Sequence, residues 1–431
     1  MELKYQSTTI VKPEGILHKK VPLTIFDKAA ADLHIQVLLV YKPGTASNAK
    51  IKDALSKVLT HYPMLVGKLS GDKFPAVYLD DESGVPVTET AVAGDLDDFL
   101  PLEPSPALAV LSPEAQGTNP LFLVQLNRFD CGGLVMGVSC NHKIHDGQAI
   151  SNFFVSWSEM VRDQPVRVLP IHDQSLLRPR SPPTPDFPHE EMEFCNVAEL
   201  DDHDAPPPKM LDGPIENVVV HYSSEFIRKV KERVGSKHST FVCMLAHLWK
   251  KVTVARGLGG EEATSAKVSV SGRPRLGIPG AYFGNLVLTA FPSAKAIDLV
   301  QEPLGYIADL IREAVEKVGS DYFQSVIDFG ELNKDKELYP SVGMGGNTLC
   351  PDLEVDSWLG FQFHELDMGG GAPCAFLPTW IPVEGILIMM PSPLKNKEQK
   401  SDQRWGAGID VILTLSAEHA KAFKQIAHSL D

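Results

Sequence analysis

The sequence predicts an α/β protein of two halves, each a mixed β-sheet flanked by helices. Three observations predict it. Apolar, β-branched runs alternate with helix-period segments in residues 1–165 and again in residues 214–431. The stretch between them, 166–213, loses periodicity and is crowded with proline, including Pro179, Pro182, Pro183 and Pro206. At 431 residues the chain is also too long for one ordinary hydrophobic core.

Residues 34–41 (HIQVLLVY) are apolar and largely branched, as a buried strand requires. Ser47 and Asn48 then open a helix in which Ile51, Leu55, Val58 and Leu59 share one face, with Pro63 as its stop. Residues 120–129 and 132–140 read as strands and 147–163 as a helix, so the order there is strand, tight turn, helix. The proline-rich stretch carries an acidic ELDDHD at 199–204 and reads as an interdomain crossover. Beyond it, 223–234 and 239–257 read as helices, the second capped by Ser239. Residues 267–272 read as a strand, and 302–318 and 416–429 as amphipathic helices. No short repeat is visible, which disfavours a solenoid or propeller.

Composition narrows the class. Hydrophobic residues make up 43% and charged residues 22%, which excludes wholesale disorder. The net charge is −15, so nucleic acid and anionic membrane are poor partners. The six cysteines include no CxxC pair and read as thiols in a reducing compartment. No apolar run approaches the ~18 residues of a membrane span, and the polar N-terminus lacks a signal-peptide core. A soluble, cytoplasmic protein is expected. His364 has no His or Cys at ligand spacing, so no metal site is expected.

Three segments could carry chemistry. In CNHKIHDGQAI (140–150), His142 and Asp146 stand four apart where an apolar strand ends. Chance alone gives about one such spacing in a chain with 14 histidines, so the context matters more than the spacing. An imidazole at a strand end can take a proton near neutral pH. Asp146 could orient that ring, or could pin the loop through an arginine. Gly147 would permit the sharp turn. In SGRPRLGIPGAYFGN (271–285), Arg273 and Arg275 alternate on what reads as extended chain, so both would face one side. In DSWLGFQFHELDMGGGAPCAFLP (356–378), Gly369, Gly370 and Gly371 allow close backbone approach. That run is not a dinucleotide fingerprint, and no GxSxG elbow or P-loop is present. The plain alternatives are a polar turn, an internal ion pair and a glycine hairpin.

Together the three segments resemble the plant BAHD acyltransferases, and the resemblance covers nearly the whole chain. His142-Lys143-Ile144-His145-Asp146-Gly147 looks like that family's H-x-x-x-D-G. Arg273-Pro274-Arg275 followed by Tyr282-Phe283-Gly284-Asn285 is similar to its R-x-R…YFGN segment. Asp367-Met368-Gly369-Gly370-Gly371 stands in the place of its D-F-G-W-G. Met368 replaces the usual Phe, Gly370 the usual Trp, and Asp356 stands where many members have Thr. Because that motif is structural in the family, a repacked turn with retained activity is expected. The segments 349–358 and 375–392 look most like the N-acyltransferase branch, which moves hydroxycinnamoyl groups onto amines such as agmatine, putrescine, tryptamine or serotonin.

The resemblance implies two chloramphenicol-acetyltransferase-like domains with a solvent channel between them. It implies acyl-CoA as co-substrate, no permanently bound cofactor, a small amine acceptor and a monomer. His142 would be the general base of a ternary-complex reaction, and Trp358 N–H a candidate donor to the oxyanion. Asp146 would turn away from His142 and pair with an arginine of the 273–275 segment. Asp367, Gly369 and Gly371 would be structural. Ile35, Val37 and Leu39 would line an acceptor site suited to an arylalkylamine, while Glu365 could instead hold a cationic amine and Asp356 lies near the reaction centre. An aliphatic amine is mostly ammonium at neutral pH, so an amine acceptor implies a rate rising into mildly alkaline pH. Alternatives are an O-acyltransferase of the same family and a catalytically silent binder of small molecules. A condensation domain is remoter, because it normally has two adjacent His and here Asn141 precedes His142.

Overall fold

The computed structural model describes all residues except 16–17, 72–73, 116, 118, 196–208, 236, 342–345, 393–407 and 431. The acidic 199–204 segment and Pro206 lie outside the described residues. The principal elements are, in the first half, β1 (Leu3–Val11), β2 (His34–Tyr41), α1 (Asn48–Leu59), β3 (Val85–Val92), β4 (Phe122–Phe129), β5 (Leu134–Asn141) and α2 (Gly147–Val161). The second half contributes β6 (Ile215–Tyr222), α3 (Ser224–Val234), α4 (Thr240–Ala255), β7 (Ala263–Ser271), β8 (Val287–Ala290), α5 (Leu304–Lys317) and α6 (Ser320–Leu332). Then follow β9 (Leu353–Ser357), β10 (Ala375–Pro378), β11 (Ile386–Pro391), β12 (Ile409–Ser416) and α7 (Ala417–Ile426).

Two mixed sheets organise these elements. The first has strand order β1-β3-β4-β5-β2-β10, and the second β6-β12-β11-β9-β7-β8 with a short strand, Ser293–Lys295, pairing the start of β7. Strand β2 is covered on both faces, which explains its apolar run from Val37 to Tyr41. Val37, Leu39 and Tyr41 pack under α1 and α2, while Leu38 and Val40 join a cluster on the opposite face with Leu111 and Phe129. The helices start where their sequences permit capping. The hydroxyl of Ser47 accepts from Lys50 N–H, and that of Ser239 from Val242 N–H.

Two expectations need correction. Strand β10 does not belong to a self-contained 214–431 unit, because it pairs antiparallel with β2 in the first sheet, Phe376 opposite Leu39. Second-half chain thus completes the first-half sheet. The crossover is also less irregular than its prolines suggest. Ile171 bridges to Tyr282, Phe194–Cys195 pairs with Tyr339–Pro340, and Arg180 is ion-paired to the buried Asp328. Prolines forbid long periodic elements here but leave carbonyls and side chains free to anchor the chain. All six cysteines are free, and among the described residues no helix is long and apolar enough to cross a membrane.

Candidate active site

A cavity of about 350 Å³ opens between the halves. One wall is the end of β2 and β5, the turn after β5 and the start of α2, including Ile35, Val37, Cys140, His142 and His145. The opposite wall carries Ser269 and Ser271 of β7, Asp356 of β9, Trp358, Phe361 and Phe363, while Phe376 of β10 adds to the wall of β2. Five aromatic rings, counting Phe154 from α2, make this an apolar space with a few convergent polar groups.

His142 is held by its backbone. Its N–H donates to the Leu33 carbonyl at 2.9 Å, and its carbonyl accepts from the Asn285 side-chain amide at 2.9 Å. Asn285 is itself clamped, since its N–H and its side-chain amide both donate to Asp27 Oδ1 at 3.0 Å. Burial raises the Asp27 carboxyl above its ordinary range, opposed by the hydrogen bonds from Asn285 and Thr24. The half-buried His142 ring lines the cavity. Its Nδ1 is buried with no hydrogen-bond partner among the described residues, which leaves Nε2 as the nitrogen open to the cavity. Three residues on, His145 stacks nearly parallel to it with centroids 5.8 Å apart. Burial above all, and then the neighbouring His142, push His145 down to about 3, so it is neutral at physiological pH.

Asp146 makes no bond to His142. It caps α2, accepting Ala149 N–H at 2.9 Å, and receives Arg273 through Nη1–Oδ2 at 2.6 Å and Nη2–Oδ1 at 3.0 Å. Leu286 N–H completes its shell at 3.0 Å. Arg273 Nη2 also donates to the carbonyls of Tyr282 and Gly284. The two arginines do not share an extended face. Arg273–Leu276 is one helical turn, so Arg275 points elsewhere and donates to the Ser271 and Val315 carbonyls. Gly147 is not a left-handed turn residue either. A Cβ there would stand 2.4 Å from Cζ of Phe361, so the glycine makes room for an aromatic ring from the other half.

Asp356 lies in the cavity, its Oδ1 accepting Ser269 Oγ–H at 2.8 Å, and no lysine, arginine or histidine among the described residues pairs with it. Trp358 is fixed by its backbone N–H to the Met389 carbonyl at 2.8 Å and by Phe376 against its ring. Its indole N–H has no partner among the described residues. Glu365 is not in the cavity. It forms an ion pair with Arg167, and its carbonyl accepts from Ser158 Oγ at 3.0 Å. Leu39 also falls outside, fully buried in the first-half core, whereas Ile35 and Val37 on the same face of β2 do reach the cavity.

Asp367, Gly369 and Gly371 stand away from the cavity lining. Asp367 Oδ1 accepts the N–H of Gly369 and of Gly371, both at 2.8 Å and both at positive φ. Met368 is buried in the first-half core, and its carbonyl accepts Ala46 N–H at 2.8 Å. The turn therefore docks on the loop between β2 and α1. Sequence reasoning named His145 and Asn285 only as motif letters, without a role, and passed over Asp27, Phe361, Phe363 and Phe376. Asn285 and the three phenylalanines sit inside segments already notable for their motifs. Asp27 gives no local signal, because its partner is 258 residues away.

A family model described as the Transferase family matches residues 1–430. Tryptamine hydroxycinnamoyltransferase 2 of Oryza sativa subsp. japonica is 40% identical over 422 residues, covering 96% of this chain and 94% of that protein. Tryptamine benzoyltransferase 1 of the same plant is 37% identical over 437 residues, covering 98% and 96%. The crystal structure of vinorine synthase superposes with a TM-score of 0.72 at 21% identity, covering 98% of this chain and 96% of that one, so the two share a fold of two chloramphenicol-acetyltransferase-like domains. The chain belongs to the Transferase family, the BAHD acyltransferases, and is an acyl-CoA-dependent transferase.

Proposed function

We propose that this enzyme moves a hydroxycinnamoyl or related aromatic acyl group from CoA to the primary amine of an arylalkylamine such as tryptamine, forming an amide. The observation that carries the reading is Asp356, a carboxylate without a protein cation among the described residues, in the same aromatic-walled cavity as His142. An unpaired carboxylate in an apolar site calls for a cation from the ligand, and an amine arrives as one. The relatives named for tryptamine support the same acceptor class.

The amine, having lost its ammonium proton to solvent, attacks the thioester carbonyl while His142 Nε2 takes a further proton from the attacking nitrogen. A C–N bond forms and the carbonyl oxygen becomes an oxyanion, for which the free indole N–H of Trp358 is the donor. The C–S bond then breaks, and the departing thiolate takes the proton back from His142 to leave as CoA. With both substrates held in one cavity, proximity removes the need for an acyl-enzyme. Asp146 takes no part in the proton transfer, because its oxygens are committed to Arg273 and to α2.

A mass-spectrometric acceptor screen tests the reading. With coumaroyl-, feruloyl-, cinnamoyl- and benzoyl-CoA, tryptamine and tyramine should give amides faster than any alcohol. Esters as the dominant products would overturn it.

A further inference from the structure

Phe361 is one point at which the two halves touch at the cavity. It sits midway along a strap, residues 358–366, that is tied at both ends. At one end Trp358 N–H bonds to the Met389 carbonyl of β11, in the second sheet. At the other, the Glu365 carbonyl accepts from Ser158 of α2, and its carboxylate pairs with Arg167. Between these anchors the Phe361 ring lies over Gly147, the first residue of α2. Three of its ring carbons come within 3.4 Å of where a Cβ at 147 would stand. Its other contacts are aromatic, Trp358 stacked at 6.2 Å and Phe363 edge-on at 5.8 Å.

The placement of Gly147 is therefore informative. Its backbone is not left-handed, so an alanine would suit the conformation. What excludes a side chain is the ring. The residue before it, Asp146, is locked to Arg273, so the floor under the ring cannot retreat. A wedge with a fixed floor and two aromatic neighbours defines one dimension of the cavity beside His142. It also shares its wall with Asp356 and Trp358, on one continuous segment.

We propose that Phe361, seated on Gly147, is the residue that selects the side chain of the acceptor amine. This rests on the amine reading above and deepens it. Asp356 would receive the amine as its ammonium before that proton is lost, and the ring of Phe361, five residues further along the same wall, meets the flat aryl end. A planar aryl group stacks against such a ring, whereas a linear cationic chain leaves it unused. The residue thus favours arylalkylamines over diamines and guanidines.

The test compares kcat/KM for tryptamine and for agmatine with coumaroyl-CoA held constant, in the wild type and in Phe361→Ala, Phe361→Tyr and Gly147→Ala. Phe361→Ala should lower the tryptamine-to-agmatine ratio at least about tenfold, the scale of a lost pocket contact. Phe361→Tyr, which keeps the ring, should hold the ratio within about threefold of wild type. Gly147→Ala displaces the same ring without altering it and should move the ratio in the direction of Phe361→Ala. The KM for coumaroyl-CoA should stay within about twofold throughout, because the ring is assigned to the acceptor. An unchanged acceptor ratio in a folded Phe361→Ala, or a change confined to acyl-CoA preference, would overturn the assignment. A wild-type enzyme that acylates neither amine would overturn the amine reading instead.

Discussion

Asp146 and Arg273 form a buried, two-pronged ion pair that joins the first half of the protein to the second, at 2.6 and 3.0 Å. The aspartate four residues after His142 is therefore a fastener, and His142 has no carboxylate partner among the described residues. Replacing Asp146 by Asn leaves Arg273 buried and unpaired, at a cost of roughly 3–5 kcal/mol. Asp146→Asn should lower the thermal midpoint and the rate together. A variant with a normal melting curve but a greatly reduced rate would contradict the structural role.

Asp356 and Glu365 make opposite predictions from similar chemistry. Asp356 faces the cavity with no cation beside it among the described residues, whereas Glu365 is occupied by Arg167. Asp356→Asn should raise the amine KM about tenfold or more, the scale of a lost charge-assisted contact. Glu365→Gln should leave that KM within about twofold, since exposed ion pairs contribute little. Steady-state kinetics at saturating acyl-CoA measure both.

Gly370 holds a position with no room for a side chain. A Cβ there would lie 2.6 Å from the backbone carbon of Gly44, and neither chain can yield. Installing the tryptophan common elsewhere in the family should destabilise this protein, and Gly370→Ala should cost on the order of 1–3 kcal/mol. Chemical denaturation should register the loss, with the specific activity of the folded fraction unchanged.

Stability should fall as the medium is acidified. Burial first, in each case, pushes His145 down to about 3 and His247 to about 4, against an ordinary value near 6.5. Between these values the unfolded chain binds more protons than the folded one, so stability rises with pH and is lost as pH drops below about 6.5. The raised Asp27 and Glu354 act in the opposite sense at the acid end, against three lowered histidines, since burial lowers His172 as well. The melting temperature should be lower at pH 5 than at pH 7.5, and equal values would contradict the burial of two neutral imidazoles.

Much of this was legible in the sequence because local rules governed it. The span 34–41 reads as a strand because both its faces are covered, and the helices after Ser47 and Ser239 begin where a hydroxyl can cap them. His142 was legible as a strand-end residue. Contacts between distant segments were not. Nothing near residue 375 announces that it will pair with β2, and nothing near Asp27 announces Asn285. Glu365 and Asp356 look alike as letters, and only the position of Arg167 separates them. The alternation of Arg273 and Arg275 misled because period two also fits the first turn after a proline-bearing start, where the backbone coils.

The most direct measurement is amide formation from coumaroyl-CoA and tryptamine by wild type and by His142→Ala, paired with calorimetric binding of each substrate. The wild type should form the amide. The variant should bind both substrates with little change yet lose about 10²–10⁴-fold in kcat, as expected when a general base is removed. A variant that still turns over within a few-fold of wild type would contradict the assignment of His142 as the base.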